Sequence, residues 1–169
     1  MRTASRIAIS VTLAAALMTS VGACSLIPLM TPPASSPTDS EDTGDASEAA
    51  LAKYVEAERS QIPTIIEQYP DLYSDVTIDG AVEESTGDDE IPAGTHSVVR
   101  FTYTYADAMD WDATSTALDG QTSALDDACS ATIFTAMGVY GVEGPLAAVF
   151  GYTDATSGDE IMWSHTCSE

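Results

Sequence analysis

Positive charge is what this chain has least of. Its 169 residues include five lysines and arginines against 27 aspartates and glutamates, a formal charge of −22. Two of the five, Arg2 and Arg6, stand at the very start. Beyond residue 23 only Lys53, Arg59 and Arg100 face all 27 acids, so that part alone carries −24. A field of that sign repels phosphate, which excludes nucleic acid as a partner and favours cations or basic surfaces.

Chemical motifs are missing as well. There is no G-x-S-x-G elbow for a serine nucleophile and no G-x-x-x-x-G-K-[ST] or G-x-G-x-x-G loop to cradle phosphate. No D-x-[DN]-x-[DN]-G calcium loop occurs, and the cysteines and histidines lack the C-x-x-C or H-x-x-x-H spacing of a zinc site. No cofactor, metal or catalytic residue is therefore expected. Carboxylates for hydrolysis could be drawn from Asp107, Asp110 and Asp112, from Asp126 and Asp127, or from Asp88, Asp89 and Glu90. Among 27 acids, however, such groupings arise without any site to explain them.

The one long apolar run, Ile7 to Val21, follows Arg2 and Arg6 and reaches Gly22-Ala23-Cys24. Basic start, apolar centre and small residues are the order of a secretory signal peptide. Serines and threonines interrupt the run, and no basic cluster follows to stop transfer across a membrane. Val21-Gly22-Ala23-Cys24 resembles the bacterial lipobox. The resemblance implies cleavage after residue 23, diacylglyceryl attachment to Cys24, and a chain anchored in the cell membrane on its extracytoplasmic side. Two acyl chains suffice for stable anchoring, since each buried methylene contributes about 0.8 kcal/mol.

With Cys24 lipidated, Cys129 and Cys167 remain, an even number in an oxidising compartment. A disulfide between them is expected to stabilise the fold by about 4 kcal/mol.

Residues 24–46 are rich in proline, serine, threonine and acids and read as a disordered tether. Residues 47–169 read as a single domain. Ser47 opens a helix interrupted by Pro63 and ended at Tyr69-Pro70, with Leu51, Val55, Ile62 and Ile66 near one face. A weak strand from Leu72 closes at a turn, Asp79-Gly80, and an acidic loop leads to the clear strand Ser97–Tyr105. Asp112 caps a second helix running to about Tyr140, with Gly120 as a possible break. Strands over 146–153 and 160–167 follow, joined by a hairpin loop at 154–158. In these phases Cys129 and Cys167 both point into the interface between helix and sheet.

The order α-β-β-α-β-β predicts an α+β two-layer sandwich, with helices on one face of an antiparallel sheet. The other face, carrying Val98, Arg100, Thr102, Thr104, Ala147, Val149, Thr153, Met162 and Ser164, is the expected contact surface, whether exposed, paired with a partner or packed under loops. Arg100 on that face and Trp111 at a strand-to-helix junction are the candidate binding residues. Arg100 could equally pair with neighbouring acids, and Trp111 could simply pack.

The segment Lys53-Tyr-Val-Glu-Ala-Glu-Arg-Ser-Gln-Ile-Pro63, followed by Val99-Arg-Phe-Thr-Tyr-Thr-Tyr105, resembles an uncharacterised family of small Gram-positive lipoprotein domains. That resemblance implies fold and location and no activity. The expected role is a non-enzymatic binding or accessory module. The alternatives are an inhibitor or immunity-type lipoprotein acting on a basic secreted protein, and a hydrolase using carboxylates.

Overall fold

The computed structural model describes residues 43–87 and 90–169, with side chains from residue 46 onward. The expected signal peptide, Cys24 and most of the expected tether lie outside the described residues. The elements in chain order are helices α1 (Thr43–Arg59) and α2 (Ile62–Gln68), strands β1 (Tyr73–Ser85) and β2 (Gly94–Tyr105), and helices α3 (Trp111–Asp119) and α4 (Thr122–Ala128). A π-helical turn at Cys129–Ile133, helix α5 (Phe134–Val139), and strands β3 (Leu146–Asp154) and β4 (Trp163–Ser168) complete the fold. The fold is α+β. Helical structure reaches back to Thr43, into the stretch expected to be tether.

The four strands lie in the order β1-β2-β3-β4. The pairs β1–β2 and β3–β4 are antiparallel, whereas β2 and β3 run parallel, Ser97 opposite Leu146 through Tyr105 opposite Asp154. The expectation of a wholly antiparallel sheet is therefore wrong. Its error lies in the connection: a segment holding three helices is long enough to carry the chain back to the start of the sheet, and that return is what parallel neighbours require.

Proline and glycine act as local chemistry dictates. Pro63 falls in the first turn of α2, where a missing N–H costs no helical bond, so the chain breaks into two helices instead of kinking one. Gly120 ends α3, as expected. The cap of α3 is Asp110, not Asp112, its carboxylate accepting from the Ala113 N–H at 3.4 Å.

Gly80 departs furthest from its sequence reading. It makes no turn, and β1 runs straight through it. A Cβ at this position would stand 2.7 Å from Val55 Cγ2 and 3.1 Å from Leu51 Cγ. Glycine here is what lets α1 lie close on the strand. The turn falls later, between Ser85 and Gly94, where Gly87 (φ +88°) takes the left-handed conformation and the Ser85 hydroxyl donates to the Ile91 carbonyl at 2.8 Å.

The main core joins helices to one sheet face. Leu51, Tyr54 and Val55 of α1, Leu118 of α3, and Phe134 and Met137 of α5 cluster with Val76, Ile78, Val99, Phe101, Ala148 and Phe150. The alternate strand residues face away. There Ile91, from the β1–β2 loop, packs on Val98 and Ala147, with Val149 beside them. Ile161 lies over Gly151. Part of the expected contact surface is therefore covered by the chain's own loops, at Val98 and Ala147, both fully buried, while Arg100, Thr102, Thr104 and Val149 are half-buried and Ser164 is exposed. Met162 precedes β4 and donates its N–H to the Tyr152 carbonyl at 2.9 Å.

Candidate functional site

Three arrangements hold side chains with chemistry. The first surrounds His96, near the start of β2. Its ring is buried, and Nδ1 lies 3.1 Å from the Gly94 carbonyl, within hydrogen-bonding distance. His96 lines two cavities. One, about 330 Å³, is bounded by Ser47, Val82, Ser97 and the turn Glu143-Gly144-Pro145. The other, about 230 Å³, is bounded by Glu83, Ser85, Ile91 and Arg100. In the first, the Ser47 and Ser97 hydroxyls lie 3.2 Å apart, and Ser47 donates to the Glu143 carbonyl.

Arg100 forms the far wall of the smaller cavity. Its guanidinium meets Glu83 of the neighbouring strand through both nitrogens, Nη2 donating to Oε2 at 2.7 Å and Nη1 to Oε1. These hydrogen bonds hold the Glu83 carboxyl below its usual range and raise Arg100. Arg59 is likewise committed, donating to the Ile78 carbonyl at 2.6 Å and to Asp79 at 2.5 Å.

The second arrangement is built on Asp154, the last residue of β3. Its carboxylate is 2% exposed and accepts six hydrogen bonds. Oδ2 takes the Met109 N–H at 2.8 Å and the Trp111 indole N–H at 3.0 Å; Oδ1 takes the backbone and hydroxyl donors of Thr156 and Ser157 at 2.7–2.9 Å. Those donors hold its carboxyl far below the ordinary range, the Met109 N–H contributing most. Trp111 is partly buried, and its ring packs on Tyr105. The indole N–H of this candidate binding residue is thus spent inside the protein.

The third lies between α4 and β4. Cys129 and Cys167 form a disulfide with Cα atoms 6.5 Å apart, each sulfur buried where strand and helix phase had placed it. Beside it, Asp126 Oδ1 contacts His165 Nε2 at 2.8 Å, and at the end of α3 Asp119 accepts the Trp163 indole N–H at 2.8 Å. The Asp126 carboxylate, a ring nitrogen of His165 and the Cys167 sulfur lie within 4.8 Å of one another.

The tyrosines are packing residues for the most part. Tyr73, Tyr103, Tyr105 and Tyr152 stack across three strands with ring centroids 5.2–5.9 Å apart. Burial pushes the Tyr103 hydroxyl up to about 12 and raises Tyr54, which is bonded to Glu58. Tyr140 is 43% exposed, its ring edge resting on Tyr54.

Sequence reasoning found the disulfide and the two alternatives open to Arg100, and it read His96 as a surface or hydrogen-bonded buried residue rather than a general base, but it passed over Asp154 and the pairing of Asp126 with His165. Asp154-Ala-Thr156-Ser157 is the pattern of a carboxylate capping its own turn, and it could have been read as one. Asp126-x-x-Cys129 and His165-x-Cys167 each repeat at the spacing that puts two side chains on one face.

In comparisons with known proteins, no family model, no curated protein and no solved structure matches the chain. Among the described residues, no helix is long and apolar enough to cross a membrane.

Proposed function

We propose that this chain is an extracytoplasmic lipoprotein, anchored through Cys24, whose domain is a non-enzymatic binding or accessory module with its ligand seat in the paired cavities around His96. Those two hollows carry the binding half of the proposal. The hydroxyl-lined one opens on the helix-covered face of the sheet and the one walled by the Arg100–Glu83 ion pair on the other face, with His96 lining both. The location half is supported by the lipobox-like sequence before Cys24 and by a buried disulfide of the kind that persists in oxidising compartments.

Each half has its own measurement. Cys24→Ala, expressed in a bacterial host, is expected to move the protein from the membrane fraction to the soluble fraction; equal membrane retention of the variant would overturn the anchor. For the binding half, isotope-labelled protein is titrated with wall polymers, short peptides, divalent cations and a basic protein. Shifts are expected to centre on residues 82–100 and 143–147, and silence toward the whole panel overturns it.

A second reading has an observation of its own. Among the described residues, Arg59 and Arg100 are paired with carboxylates, and acids are exposed on every side: Glu56 and Glu67 on the helices, Asp75 and Glu84 on β1, Asp159 and Glu160 before β4. Such a surface suits an inhibitor or immunity-type protein that captures a basic secreted partner by long-range attraction. In the same titration its mark is an association rate with the basic protein that falls about tenfold or more with added salt. A rate indifferent to salt removes this reading.

A further inference from the structure

The seam between α4 and β4 holds more than a disulfide. Asp126 and Cys129 stand three residues apart at the junction of α4 with the π-helical turn, so they share a helix face. His165 and Cys167 stand two apart on β4 and share a sheet face. The two faces meet, which gathers a carboxylate oxygen, an imidazole nitrogen and two sulfurs into one small volume. The sulfurs are buried, the imidazole is half-buried and the carboxylate faces solvent, so the cluster has a dry interior and an open mouth.

Two sulfurs, one imidazole and one carboxylate are ligand types that zinc takes in tetrahedral sites. Contributing two ligands from a helix and two from a strand fixes their relative positions before any ion arrives. The helix changes to π geometry at Cys129 itself, and single π turns recur at functional positions because they re-aim a side chain.

We propose that the dithiol form of the Cys129–Cys167 pair, with His165 and Asp126, binds one zinc ion, so that this seam is closed either by a sulfur–sulfur bond or by a metal. A dithiol reductant supplies two electrons and two protons: the S–S bond breaks, two thiols form, and the reductant leaves as its own disulfide. Zinc then takes both sulfurs as thiolates and two protons go to solvent. The contact between Asp126 Oδ1 and His165 Nε2 opens to admit the ion, and the imidazole carries its proton on the other nitrogen. Bridge and metal exclude each other because they use the same sulfurs. Zinc therefore holds the pair reduced, and oxidation expels zinc.

The test uses the full chain carrying Cys24→Ser, so that the only cysteines are the two in the seam. Cobalt(II) is titrated into protein kept under a phosphine reductant. Expected are 1:1 binding, thiolate-to-cobalt absorption in the near ultraviolet, visible bands of four-coordinate cobalt, loss of both on adding zinc, and neither in the oxidised chain. His165→Ala and Asp126→Asn keep both sulfurs and are expected to weaken binding by about 100-fold and about 10-fold. A reduced chain without cobalt–thiolate absorption overturns the proposal. So does binding that His165→Ala leaves unchanged, since that is capture by sulfur alone. Should reduction unfold the chain, recovery of its far-ultraviolet dichroism on adding zinc supports the site, and failure to recover overturns it.

Discussion

Replacing Cys129 and Cys167 together by alanine is expected to lower the unfolding free energy of the domain by about 4 kcal/mol. The bridge closes a loop with a sequence separation of 38, and without it the unfolded chain recovers the entropy that this closure removes. It also ties β4, a six-residue edge strand, to the helical layer. An edge strand that short has one partner strand and little area of its own, so detachment of β4 is the expected first step of opening. A loss of 4 kcal/mol is a large share of a stability that for single domains is about 5–15 kcal/mol. Urea unfolding in the presence of a chelator is the measurement, and the midpoint is expected to fall by about 2 M. A variant that unfolds at the wild-type midpoint would show that the packing of Leu125 and Trp163 holds the seam unaided.

Asp154→Asn is the second large effect. The substitution keeps shape but turns one oxygen of the carboxylate into a donor, and every group around it is already a donor. A buried N–H facing N–H or O–H groups loses hydrogen bonds that water cannot replace. Both the chain entering α3 and the β3–β4 loop hang on this residue, so they loosen together. The thermal midpoint is expected to drop by roughly 10 °C, with Trp111 fluorescence shifting to the red before global unfolding. The sign with pH follows from the depressed carboxyl. Its contribution is complete above the ordinary carboxylate range near about 4, and it is lost as pH falls from there toward the folded value. The gap between wild type and Asp154→Asn should therefore be widest at neutral pH and narrow in acid. A gap constant from pH 7 down to about 2 would mean that Asp154 acts through shape alone.

What could be read in advance divides along a physical line. The alternation of Ser97–Tyr105 fixed its two faces, and Cys129 fell on the apolar side of its helix for the same reason: both are local periodicities that survive into the fold. The strand pairing was not local. Whether β3 joins β2 parallel or antiparallel depends on where a three-helix connection returns, and no residue within either strand encodes that. Gly80 was read as a turn because glycine after aspartate satisfies a turn's backbone; its true reason, the proximity of Leu51 and Val55, lies in another element. The candidate site was hardest of all to see. His96 and Glu83 are neighbours only through the β1–β2 register, and Asp126 and His165 only through the packing of α4 on β4.

The parallel pair at the centre of the sheet also sets a sequence of events in time. Strands β1 and β2 close through a short loop, as do β3 and β4, and each can zip soon after its own turn forms. The pairing of Ser97 with Leu146 has to wait until the intervening helices have collapsed into a compact return path, because only then is the entropy of closing so long a span offset. Two early hairpins and one late central seam are the consequence, and the slowest step belongs to the strands that end up best protected.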